Sequence, residues 1–124
     1  MKLAFASSDG IVVNQHFGHT PYFWIIEINE EKGDWSVLER RENQPPCRFG
    51  EHDEGSLKSS AELIKDCRAI FVVKAGNYVQ NLLQQQYGMQ VLEIKGFIRE
   101  LMEGYIIYLK KVHYFEKRNK GMEL

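Results

Sequence analysis

Two histidines stand three residues apart in VNQHFGHTPYFWII, residues 13–26. Imidazole is the commonest nitrogen ligand for iron, zinc and copper, which makes His16 and His19 candidates for ligation. Gly18 permits a tight backbone, and Pro21 pushes Thr20 towards an extended conformation, so both histidines fall on a constrained loop or strand entry. An i, i+3 pair shares a face only on a helix, and Pro21 argues against a helix continuing there. The two rings therefore need not converge. Taken alone, a loop histidine beside Phe17 is more often a packing or hydrogen-bonding residue than a ligand.

A second set of donors lies in PPCRFGEHDEGS, residues 45–56. Cys47 follows two prolines, which favours an accessible thiol, and Arg48, with Arg40 and Arg41 shortly before, favours the thiolate that ligates or attacks. His52, Asp53 and Glu54 add further donors. The same stretch reads equally as a solvated connector, with Asp53 and Glu54 stabilising the N-terminus of the helix that follows. Cys67 differs, because it closes a helix just before an apolar strand and belongs in the core. No GxSxG elbow, phosphate-binding P-loop, GxGxxG or CxxC pair is present. Hydrolysis by two metals would need carboxylates converging from the strands. Residues 2–7 and 69–73 contain none, while Asp9, Glu62 and Asp66 fall on turns or a solvated helix face.

The elements that must position these residues follow from periodicity. Residues 2–7 form a short apolar strand closed by the Ser8-Asp9-Gly10 turn signal. Residues 22–28 are aromatic and β-branched, and 35–41 alternate, with Trp35 and Val37 on one face and Ser36, Leu38 and Arg40 on the other. Residues 43–55 lack periodicity and form a loop long enough to suggest a role. Ser56 is placed to cap a helix over 56–66, with Leu57, Ala61 and Ile64 on one face. The run 69–73 suits a strand covered on both sides. Residues 77–87 form a helix with Gly88 at the position after its end, 89–94 another strand, and 98–112 the clearest amphipathic helix. The order β-β-β-α-β-α-β-α predicts a mixed five-stranded sheet with helices on its faces, antiparallel at its start and parallel after the first helix.

The 124 residues are most simply one domain, here 1–115 followed by a charged tail, 116–124. A net charge of −1 and a pI near 6.4 supply no global field for nucleic acid or an anionic membrane. No run approaches the length of a membrane span, and the opening MKLAFASSDG has only a short apolar run before a turn, unlike a signal peptide. Two cysteines make no disulfide framework, and the expected compartment is the cytoplasm.

The elements FASSDG, then HFG leading into an aromatic strand, then LIKDCRAIFV in that order resemble the dinitrogenase iron–molybdenum cofactor biosynthesis family, from residue 2 to about 96. The resemblance implies a ribonuclease H-like fold. It also implies non-catalytic, transient binding of an iron–sulfur cluster, the iron–molybdenum cofactor or its precursor, passed between assembly proteins and apo-nitrogenase. His16 falls on the family's HFG histidine and is the first candidate for a cluster ligand. Cys47 is the second, and His19, His52 and Arg48 follow as neighbours. A sulfide-rich cluster is anionic and soft, so it suits a His or Cys donor with cations nearby, which Arg40, Arg41, Arg48 and Lys74 would supply from one end of the sheet. A carrier must also release its cargo, which suits one or two ligands better than a four-cysteine cage. Two other functions use the same sequence features: a metal-free adaptor that binds a protein partner, and a divalent-metal nuclease or phosphohydrolase suggested by fold type alone.

Overall fold

A computed structural model of the chain describes residues 1–44 and 54–122, the latter by backbone alone from residue 113. The elements in order are β1 (Lys2–Ala6), β2 (Val12–Val13), β3 (Tyr22–Ile28), β4 (Trp35–Glu42), α1 (Glu54–Glu62) and β5 (Ala69–Val72). After them come α2 (Asn77–Asn81), continued by a π-helical stretch (Leu82–Gln86), then β6 (Gln90–Glu93), β7 (Gly96–Phe97) and α3 (Ile98–Met122). Five strands form one mixed sheet in the order β4-β3-β1-β5-β6. β1 is antiparallel to β3 and β3 to β4, whereas β1, β5 and β6 run parallel, as the sequence pattern predicts. The central strands β1 and β5 are buried on both sides, which is why they read as unbroken apolar runs.

Alternation along the strands divides the core in two. One face sends Ala4, Ala6, Phe23, Ile25, Ile70 and Val72 against α1, α2 and the π-helical stretch. The other sends Leu3, Phe5, Ile26, Ile28 and Phe71 against Ile98, Met102 and Tyr105 of α3. Phe5 and Phe71 stack across β1 and β5 with ring centroids 4.5 Å apart.

Four details depart from the sequence expectation. A second sheet pairs Val12 with Phe97 and Val13 with Gly96; strands of two residues carry no detectable period. The first helix begins at Glu54, so Ser56 lies inside its first turn instead of capping it. α3 runs to Met122, through the segment expected to be a tail. Finally, a bulge shifts the β3–β4 register, so that Ile25 faces Glu39 while Ile26 faces Val37. The extra residue reverses the alternation beyond it. Arg40 therefore shares the face of Val37 and Trp24 instead of that of Ser36.

Adjacent on one strand, the two arginines point to opposite faces, and the bulge decides which face each takes. Arg41 reaches α1's end, where its guanidinium donates to both carboxylate oxygens of Asp66 (2.6 and 2.9 Å), to Glu39 (2.6 Å) and to the carbonyl of Leu63 (2.7 Å). Lys2 Nζ adds a 3.3 Å contact to Asp66. Hydrogen bonds from Arg41, then from Lys2, hold the Asp66 carboxyl well below the usual carboxylate range. A depressed folded-state pKa contributes stability that is present above the unfolded value, near 4, and is lost as pH falls below it. Arg41→Gln is expected to lower stability at neutral pH and to flatten the loss of stability below about pH 4, as measured by urea midpoints across an acid series.

Candidate functional site

The C-terminal ends of β1, β4 and β5 and the start of β3 meet at one end of the sheet. Each loop there is held by its own polar chemistry. After β1, the Asp9 carboxylate accepts from the amides of Ile11 (2.8 Å) and Val12 (3.2 Å), and these bonds lower its pKa. Asp9 is thus a turn-forming residue. Gly10 takes φ +77°, and a β-carbon there would lie 2.9 Å from the Trp24 ring. The Trp24 indole N–H in turn donates to the carbonyl of Ser7 at 3.0 Å. Asn14 bridges back to Ser8, accepting from its amide (3.1 Å) and donating to its hydroxyl (2.9 Å).

The histidine segment is fastened to β5. The amide of Val73 donates to the carbonyl of Gln15 (3.0 Å), and the amide of Phe17 to that of Lys74 (2.9 Å). The Phe17 side chain is fully buried, 5.7 Å from the Phe23 ring. The chain then turns on itself, the amide of His19 donating to the carbonyl of His16 at 3.1 Å. A single turn does what a helix was expected to be needed for: both imidazoles are exposed, and their centroids lie 6.2 Å apart. The i, i+3 spacing alone does not require this proximity; the backbone turn supplies it. Gly18, at the crest, lines a cleft of about 250 Å³ together with Glu54, Leu57, Ala75, Gly76 and Tyr78.

Cys47, Arg48 and His52 lie outside the described residues. The residues on either side of that segment are fixed at this end of the sheet by a buried polar clasp with no signature in the sequence. Asn43 donates from its amide side chain to the carbonyl of Thr20 (3.0 Å) and from its backbone to that of Pro21 (2.9 Å). Its side-chain oxygen accepts from Ser60 of α1 at 2.8 Å. Thr20, Asn43 and Ser60 are all buried, so β4, α1 and the residue after His19 are tied together by bonds that water does not contest.

Of the expected cations, Arg41 is consumed by Asp66 and Glu39. Arg40 lies 4.2 Å over the Tyr22 ring and 5.7 Å from that of Trp24. Lys74 is exposed beside the histidine segment. Cys67 is buried as expected, and burial first of all raises its thiol pKa to about 12. It is an inert core residue. Among the described residues, no three His, Cys, Asp or Glu side chains converge on a metal-sized space.

The chain is thus a mixed α/β protein with two exposed imidazoles at one end of its sheet. The family model described as "Dinitrogenase iron-molybdenum cofactor" matches residues 1–107, and the chain belongs to that family. It is 33% identical over 104 residues to the FeMo cofactor biosynthesis protein NifB of Chlorobaculum tepidum, covering 82% of this chain and 23% of that one. It is 31% identical over 119 residues to the protein NifX of Azotobacter vinelandii, covering 90% and 68% respectively. The chain thus spans less than a quarter of that NifB. Among solved structures, PH0822 aligns with a TM-score of 0.64 at 23% identity, covering 86% of this chain and 88% of that one. A putative dinitrogenase (mj0327) from Methanocaldococcus jannaschii aligns at 0.53 and 17% identity, covering 88% and 90%. Both likenesses concern the fold.

Asn43→Ala removes one partner from each of two buried groups, the Ser60 hydroxyl and the Thr20 carbonyl. It is expected to cost about 1–3 kcal/mol, read as a lower urea midpoint with unchanged slope. Ser60→Ala, which leaves the bond to Thr20, should cost less.

Proposed function

We propose that the chain is a carrier in iron–molybdenum cofactor assembly, holding an iron–sulfur cargo, the finished cofactor or its precursor, for a limited time at the histidine turn. The observation that carries this reading is the pair of exposed imidazoles brought to 6.2 Å by one turn beside a cleft. Metal–nitrogen bonds of about 2.0–2.1 Å place two rings on one metal roughly 5–6 Å apart by centroid. The observed 6.2 Å lies just beyond that range, so the rings must turn towards each other to share one metal. His16 is the primary ligand, His19 the second donor or neighbour, and Cys47, Arg48 and His52 further contacts from the segment between Asn43 and Glu54. The name of the NifB relative supports a role in cofactor biosynthesis, and assembly proteins and apo-nitrogenase are the proposed partners in the exchange. The strand order supports a ribonuclease H-like classification of the sheet.

The chemistry asked of the protein is modest. Two imidazoles give a soft cluster a foothold without surrounding it, and the partner that supplies more or stronger ligands takes the cargo by exchange. Rigidity at the base of the turn limits the ordering cost of capture.

Anaerobic titration of the purified chain with isolated iron–molybdenum cofactor, read as iron per chain and as visible charge-transfer absorption, tests the proposal. His16→Ala is expected to weaken retention by about tenfold or more, equivalent to about 1.4 kcal/mol, and His19→Ala by less, with unchanged thermal midpoints. Equal retention by wild type and the His16→Ala/His19→Ala double variant would overturn the histidine site, and no retention by the wild type would overturn the carrier reading and favour a metal-free adaptor.

A further inference from the structure

Helices cover the two faces of the sheet unequally. α1 and α2 lie on one side, whereas among the described residues only α3 covers the other. Beside α3, over the outer strand β6, a groove of about 500 Å³ remains open, floored by Phe71, Leu92 and Ile94 and walled by Leu101, Gly104 and Tyr105. Gly104 stands mid-helix, where glycine weakens the helix, and a β-carbon there would touch nothing within 4 Å. The missing side chain keeps the wall open.

The same helix carries an unused stripe. Glu100, Gly104, Ile107, Tyr108 and Lys111 recur at intervals of three and four, so they share one face, and all are exposed. Ile107 is 55% exposed and Tyr108, which lines the groove, 48%, although both are large apolar residues. The stripe is acidic at one end and basic at the other. Glu100 and Lys111 make no ion pair with any described residue.

We infer that this face binds a second copy of the chain, α3 against α3 in antiparallel arrangement about a two-fold axis. An isologous contact requires a self-complementary patch, and this stripe is one. Turned end to end, Glu100 of each copy meets Lys111 of the other, while Ile107 and Tyr108 come opposite Gly104. Ile107 then enters the partner copy's groove, and the absent side chain at Gly104 lets the two helix backbones approach closely. The charge ends select the antiparallel orientation, because a parallel pair would oppose like charges. The histidine turn takes no part in this contact, so the inference stands independently of the cargo reading.

Sedimentation velocity over a wide range of micromolar concentrations tests it. The wild type is expected to shift from monomer to dimer as concentration rises. Glu100→Lys and Lys111→Glu should each raise the dissociation constant by about tenfold or more, and the two together in one chain should restore the dimer. Gly104→Leu should abolish the dimer while thermal melts show a folded chain. Both charge variants are surface changes, so they decide the matter even if the leucine variant misfolds. A wild type that stays monomeric at every concentration overturns the inference and leaves the groove to a helix of another protein. A dimer indifferent to both charge reversals also overturns it.

Discussion

Two backbone hydrogen bonds between residues 15–17 and the end of β5 govern the geometry of this end of the molecule. The amides of Val73 and Phe17 would otherwise be unpaired at the margin of a buried strand, at a cost comparable to a lost hydrogen bond each. Pairing them pins a segment that has no secondary structure of its own. With Phe17 sunk into the core, His16 and His19 on either side are left at the surface. One buried aromatic thus sets the exposure of its polar neighbours. The conformational cost of ordering the turn is met during folding, before any ligand arrives.

The electrostatics of the site differ from a simple basic patch. Of the two neighbouring arginines, one is spent on a carboxylate and a carbonyl at the end of α1 and serves the fold. The other sits over Tyr22, with Trp24 further off. A guanidinium held over an aromatic ring keeps N–H donors available while the ring restrains its motion. Charge here is arranged by aromatic residues and a bulge, with no contribution from net charge, which is nearly zero.

The architecture was legible because its strongest signals are local. Unbroken apolar runs marked β1 and β5, the 3.6-residue period marked α3, and Gly88, at φ +62°, ended the second helix where a glycine was expected. The site was legible only in part. The spacing of His16 and His19 identifies the pair, but their convergence depends on a turn whose hydrogen bond no periodicity announces. Asn43 and Ser60 could not be paired by inspection, since they are seventeen positions apart in segments of different type. The face of Arg40 was misassigned because strict alternation assumes an unbroken ladder, and an extra residue near Leu38 interrupts it.

That extra residue matters beyond the arginines. β4 is an outermost strand, and a flat, regular edge there would offer another polypeptide a ready template for hydrogen bonds. The irregularity coils this border, and Glu39, Arg40 and Glu42 crowd it with charge on both sides. Val37 and Leu38, although uncovered, are thereby poor seeds for runaway fibrous growth. One supernumerary amino acid thus guards this margin against edge-to-edge pairing.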